Sequence, residues 1–192
     1  MRFFFELAFI VLVALGLGAA ISQVSIQDNL GFGALRIGQW TAWPAEGSRD
    51  ADPYTRAKVA ADGAVPLGAG EGIAFEAEKD LQGNPLQLAC SYRLAGQTPL
   101  ARLWTLTAHA ADRSVVETSN GTPAATNSKK IVRNGNGSFE ISVGPVLQGG
   151  NWINTTGTGP LTLIFRLYDT QVTTAAGLLT PEMPSVELLG CQ

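Results

Sequence analysis

Histidine is almost missing from this chain: its 192 residues include one, His109. A serine or cysteine hydrolase needs a base beside its nucleophile, and that base is usually a histidine. The sequence also lacks a Gly-x-Ser-x-Gly elbow. Ser114 and Asp112 lie near His109 along the chain, but closeness in sequence does not make a triad. Cysteine is scarce as well. Cys90 and Cys191 are the two present, without a Cys-x-x-Cys spacing, and with a lone histidine they supply no expected metal site. No motif calls for a cofactor. Charge is thin: 15% of residues are Asp, Glu, Lys or Arg, and the net charge is -3. Phosphate contacts need clustered Lys and Arg. The one adjacent basic pair, Lys129 and Lys130 in "SKK", reads as a solvated turn, so nucleic acid is not an expected partner.

Long apolar stretches are confined to the start. Residues 1–22 read as an N-terminal membrane anchor or signal segment. "MRFFFELAFIVLVALGLGAAI" carries Arg2, then apolar residues from Phe3 to Ile21 broken by Glu6. As a helix rising ~1.5 Å per residue, it can roughly cross a ~30 Å hydrocarbon core. A cleaved signal peptide is the rival reading, with Gly18 and Ala20 as the small residues of a cleavage site. The single n-region charge and the length of the run favour the uncleaved anchor. Both readings export the rest of the chain. In an oxidising compartment Cys90 and Cys191 read as a disulfide, with two unpaired thiols as the alternative. Closing a loop of about 100 residues is worth roughly 4.7 kcal/mol in the chain-entropy model.

Residues 23–49 read as a polar, glycine-rich connector. Its "WTAWP" places Trp40 and Trp43 either at the headgroup belt or, the preferred reading, packed onto the domain at its entry. Residues 50–192 form the expected β-sandwich domain. "DPYTRAKVAADG", 52–63, reads as its one short helix, with Asp52 as N-cap, Pro53 at the first helical position and Gly63 just past the end. Beyond residue 70 the period becomes two. "EGIAFEAEKD", "LQLACSYRL", "ARLWTLTAHA", "SFEISV" and "LTLIFRLYD" alternate apolar with polar residues between Gly, Pro, Asn and Asp signals, and "SVELLGC" follows near the end. This predicts a mainly β fold: an antiparallel jelly-roll-like sandwich with one short helix, preceded by a transmembrane helix.

The last alternating run holds an arginine. Leu161, Leu163, Phe165 and Leu167 face one way, and Thr162, Ile164, Arg166 and Tyr168 the other. Arg166 is therefore expected outside the core, its guanidinium against Tyr168 or a tryptophan. With Trp104, Asn151 and Trp152 it makes a candidate ligand-binding cluster: an arginine fork binds carboxylate or phosphate, and rings stack on it. The ligand would be a small molecule, a glycan, a lipid headgroup or a partner protein, and the alternative role is bracing the sheet end. A glycosidase-type carboxylate pair could come from Glu71, Glu76, Glu78 and Glu140, but their spacing selects no two of them.

The order "CSYRLAGQTPLARLWTLTAHAADRSVV", "RNGNGSFEISV" and "GNWINTTGTGPLTLIFRLYDT" resembles a bacterial family, domain of unknown function 1214. The matching elements are Trp104, Thr105, Leu106 and Asp112; Asn136, Gly137 and Phe139; Asn151 and Trp152; and Arg166, Leu167 and Tyr168. Upstream, "GQWTAWP" and "DADPYTRAKVAADGAVPLGAGEGIAF" are similar to a small, membrane-anchored alphaproteobacterial branch. His109 stands where many members have tyrosine, and 118–130 lacks the usual Asn-Pro-x-x-Arg-Tyr run. The resemblance implies a jelly-roll-like domain of the cell envelope, with a protein of the sister family, domain of unknown function 1254, as a possible partner. The resulting expectation is a non-catalytic, single-pass protein of the bacterial inner membrane, acting as a binding or assembly module in the periplasm. An envelope-directed hydrolase or other enzyme is the alternative.

Overall fold

The computed structural model describes residues 2–27, 33–68, 70–118, 121–122, 124–173 and 181–191. Two sheets share one buried core behind an N-terminal helix. That helix, α1 (Arg2–Gln27), is apolar and exposed, and its stretch Arg2–Val24 is long and apolar enough to cross a membrane. Arg2 and Glu6 sit one turn apart at its start, 3.8 Å from each other.

Strands β1 (Leu35–Ile37) and β2 (Trp40–Ala42) come next, then helix α2 (Pro53–Asp62). The helix boundaries follow from capping chemistry. The Asp52 carboxylate accepts from the backbone N–H groups of Tyr54 and Thr55, at 2.9 and 3.2 Å. Gly63, at φ 60°, takes the left-handed conformation that ends the helix. The remaining strands are β3 (Gly72–Ala77), β4 (Cys90–Gly96), β5 (Ala101–His109), β6 (Ala125–Asn127), β7 (Phe139–Gly144), β8 (Asn151–Asn154), β9 (Thr162–Thr170) and β10 (Ser185–Cys191).

The larger sheet runs β1-β2-β3-β9-β5-β6 and the smaller β10-β4-β7-β8. Period two decides what each face does. In the middle of the large sheet three cross-strand rows point inward: Ile73, Leu167 and Trp104; Phe75, Phe165 and Leu106; Ala77, Leu163 and Ala108. All nine are buried. The small sheet answers with Tyr92, Leu94, Ile141, Val143 and Val186, buried in the same core. Trp104 lies 5.3 Å from Phe139 and 4.8 Å from Phe165, centroid to centroid, so aromatic contacts join the two sheets.

Two features go beyond the sequence expectation. The connector predicted over 23–49 is not only a connector. Its residues 35–42 form β1 and β2, and β2 pairs with β3. Trp40 is fully buried, edge-on to Phe165 at 5.7 Å, and its indole N–H donates to the Pro184 carbonyl at 2.7 Å. Trp40 thus packs onto the domain. Residues 28–32 of that stretch lie outside the described residues. Second, the sandwich is not wholly antiparallel: β7 and β8 run parallel, with Ile141 opposite Asn151 and Gly144 opposite Asn154. Parallel neighbours usually need a long crossover. Here the paired stretch covers three steps, about 10 Å at the strand rise, a distance residues 145–150 can retrace.

Cys90 and Cys191 form a disulfide and face each other in the β4–β10 register. The bond ties the exposed end of β10 to a cysteine that is 5% exposed, across a sequence separation of 101. Cys191→Ser should lower unfolding stability by about 2–5 kcal/mol. Denaturant titration of both proteins under non-reducing conditions measures it, and two alkylatable thiols in the native protein would contradict the pairing.

Candidate functional site

The outer face of the large sheet divides into a covered half and an open half. Helix α2 and the turn at 110–114 cover one side through Arg113. This residue has φ 66°, unusual for a non-glycine, in the turn that follows β5. Its guanidinium reaches the Asp62 carboxylate through Nε and Nη2, at 3.2 and 2.9 Å, and Glu76 through Nη1 at 3.0 Å. Lys58 adds a second cation 2.7 Å from Asp62. Burial works against the charged form of Asp62, but Lys58 and Arg113 outweigh it and hold its pKa below the ordinary carboxylate range. Glu46, on the same side, is pushed up, first by burial and then by the Glu76 charge.

His109 belongs to this covered half. It is 5% exposed, and both ring nitrogens are engaged. Nδ1 lies 2.8 Å from the Arg113 carbonyl oxygen, and Nε2 lies 2.8 Å from Thr107 Oγ1. A carbonyl only accepts, so the proton belongs on Nδ1. In the neutral ring Nε2 is then an acceptor and takes the Thr107 hydroxyl proton. Arg166 Nη1 in turn donates to Thr107 Oγ1 at 3.3 Å. The three side chains form one directed relay, from Arg166 through Thr107 to His109.

The open half begins at Arg166. Cross-strand register sets Arg166 opposite Thr105, and Thr105 opposite Asn127 on β6, so one row carries a cation, a hydroxyl and an amide. Tyr168 lies two residues along on the same face. These residues line a cleft of about 810 Å3 together with Thr107, Thr126, Lys130, Trp152 and Asn154. The Trp152 ring is held by its indole N–H, which donates to the Gly144 carbonyl at 3.1 Å. No carboxylate or histidine lines the cleft among the described residues, and Arg166 and Lys130 have no ion-pair partner there.

Three of the five residues grouped from the sequence therefore come together: Trp152, Arg166 and Tyr168. Trp104 does not join them. It pairs with Leu167 on the core face and is 2% exposed. The reason is parity: Trp104 is odd-placed relative to Thr105 and Thr107, so the strand that turns those hydroxyls out turns the indole in. Asn151 also has another task. Its Oδ1 accepts from Val132 N at 2.7 Å, and its Nδ2 donates to the Val132 and Glu140 carbonyls at 2.8 Å each, clamping a loop to β7 and β8. The expected stacking of an arginine on a ring occurs at another residue. Arg133 sits over Trp104 and Phe139, 5.9 and 5.4 Å from their centroids, whereas Arg166 turns to Thr107.

The residues not foreseen are Thr105, Thr107, Asn127, Lys130 and Asn154. The alternation of β5 already set the two threonines on one face, but only the register places that face beside Arg166. Of the four glutamates considered as a glycosidase pair, Glu76 is held by Arg113, and Glu71 accepts from Gly68 N at 3.2 Å. A second cleft of about 660 Å3, lined by Arg36, Trp43, Glu78 and Lys79 among others, also contains Asp80. That carboxylate is occupied capping its own turn, accepting from Gln82 and Asn84 N at 2.9 Å each.

His109 generates a pH prediction. Burial first, and then the Arg166 and Arg113 charges, lower its pKa below the ordinary 6.5. Below 6.5 the unfolded chain then binds more protons than the native one. Its contribution to stability is complete above 6.5 and is lost as pH falls from there toward the folded value. NMR of the ring nitrogens at pH 6.5 should show a mainly neutral imidazole protonated at Nδ1. His109→Gln should flatten the stability profile in that window. A His109 that is half-protonated or more at pH 6.5 would contradict the relay.

Comparison with known proteins bears on the fold and the family. No curated protein sequence matches the chain. Among solved structures, the VPA0106 protein from Vibrio parahaemolyticus superposes with a TM-score of 0.58 at 18% identity, covering 73% of this chain and 36% of its own. This chain therefore spans about a third of the Vibrio protein, and at that identity the likeness speaks for the fold alone. An uncharacterised protein from Burkholderia cenocepacia gives a TM-score of 0.39 at 14% identity, over 66% of this chain and 31% of its own. The family described as "Protein of unknown function (DUF1214)" matches residues 71–172, from the start of β3 through β9. That is more than half of the sequence and includes the whole of the strand carrying Arg166: the chain belongs to the DUF1214 family.

Proposed function

We propose that this protein is a membrane-anchored binding or assembly module of the bacterial cell envelope. In this reading α1 stays in the inner membrane, the β domain stands in the periplasm, and the domain binds rather than catalyses. One observation carries the reading: the open half of the large sheet presents a cleft whose lining, among the described residues, holds two cations and no carboxylate. Arg166 is positioned there by Thr107 and has no ion-pair partner among the described residues, an arrangement suited to receiving an anion. The binding role is supported by the lone histidine, buried and bonded at both nitrogens, and by a sandwich interior filled with large side chains such as Trp40, Phe75 and Phe165. The apolar α1 and the Cys90–Cys191 disulfide support the exported location. A protein of the 1254 sister family is the proposed partner. The greater length of the Vibrio protein leaves room for a second unit beside the shared fold.

Two outcomes are expected. The protein should stay in membranes through an alkaline carbonate wash, and its domain should become protease-accessible once the outer membrane is opened. A mature protein beginning near residue 21 would contradict the anchor.

The binding role is tested with the full chain in a sugar-free zwitterionic detergent. An extract of the bacterial envelope should raise the Tm of the natural protein and leave that of Arg166→Gln unmoved. A ligand at one hundred times its Kd adds about 2.7 kcal/mol. Equal shifts in both proteins, or no shift in either, would contradict the cleft as the binding site.

A further inference from the structure

The lining of the cleft also specifies a class of ligand, and this step rests on the binding role proposed above. Arg166 uses Nη1 toward Thr107, and nothing among the described residues engages its Nε and Nη2. That free edge matches a two-oxygen acceptor, a carboxylate or phosphate. Lys130, exposed at the end of the turn after β6, adds a second positive charge to the same cleft. An anion alone would need little else. Yet the row continues through Thr105 and Asn127, and Asn154 adds an amide. Together they offer donors and acceptors suited to a body covered in hydroxyl groups. Trp152, its indole fixed by the Gly144 carbonyl, supplies an apolar plane of the kind the C–H face of a sugar ring packs on. A cleft of about 810 Å3 lies within the ~300–1,000 Å3 range of small-ligand sites. Among the described residues none lining the cleft is an exposed large apolar side chain, and so none offers the anchor a surface needs to enter a lipid bilayer.

We infer that this cleft binds an acidic saccharide, its carboxylate or phosphate on Arg166 and Lys130, its hydroxyls on Thr105 and Asn127, and its ring against Trp152. The two sources of the oxyanion, a uronic acid and a sugar phosphate, share this chemistry.

The test is calorimetric titration of the full chain in a sugar-free zwitterionic detergent. The probes are a uronate-containing disaccharide, a phosphorylated disaccharide, the neutral parent disaccharide, inorganic phosphate and vesicles containing phosphatidylglycerol. At least one acidic disaccharide should bind ten-fold or more tighter than both the neutral parent and inorganic phosphate, and whichever binds identifies the oxyanion. Arg166→Gln should weaken that binding ten-fold or more, the weight of a lost charge-assisted pair. Lys130→Gln, at an exposed position where folding is not at stake, should weaken it a few-fold. Thr105→Val, which keeps the shape and removes the hydroxyl, should weaken it with Tm held. Neutral and acidic sugars binding alike, inorganic phosphate binding as well as the acidic sugars, or binding to vesicles alone would each overturn the inference. So would a complete lack of binding by both acidic disaccharides. If envelope extract still stabilises the natural protein and not Arg166→Gln while neither acidic disaccharide binds, the ligand class fails and the binding role stands. If the extract also has no effect, both fail.

Discussion

The structure depends on the two-residue period of β9, the strand held between β3 and β5 in the middle of the large sheet. Leu163, Phe165 and Leu167 face inward and complete three rows of apolar side chains across the strands, while Arg166 and Tyr168 face outward. A slip of one residue would exchange the two sets, burying an arginine and exposing the centre of the core. Burial of Phe165 and its neighbours is thus what holds Arg166 at the surface. Core and cleft are two sides of the same pairing.

The outer face is then apportioned by charge. Arg113 fastens α2 and its own turn over the Glu76 side, using Asp62 and Glu76 as paired acceptors. What it leaves uncovered is the Arg166 side. The two halves touch through His109. Its ring takes the Arg113 carbonyl on one nitrogen and the Thr107 hydroxyl on the other, and Thr107 receives Arg166. The lone histidine thus holds a threonine, which in turn holds an arginine. Arg133 lies over the rings of Trp104 and Phe139, the aromatic pair that joins the two sheets.

Much of this was legible in the sequence where the physical signal is local. Asp52, Pro53 and Gly63 marked α2 because capping is decided within a few residues. The long alternating strands β3, β5, β7 and β9 were legible because period two needs only five or six residues to show. Strands β1, β2, β6 and β8 have three or four residues each, too few to display a period, and their pairing partners do the work. The parallel pairing of β8 has no local signal at all. The same limit explains the grouping of Trp104 and Asn151 with Arg166. Motif order along the chain brought them together, whereas the faces of β5 and the side-chain bonds of Asn151 separate them. Lys130 is the solvated turn residue its sequence suggests, and the register of β5 and β6 sets that charge at the cleft.

The proposed binding role places ligand recognition on the outer row of the large sheet and not at the second cleft. Amide chemical-shift mapping of the full chain, titrated with an acidic disaccharide in sugar-free micelles, tests it most directly. The largest movements should fall on the backbone amides of Thr105 and Asn127, the Arg166 guanidinium and the Trp152 indole N–H, while α2 stays still. Largest movements around Trp43, Lys79 and Gln82, at the second cleft, would contradict it.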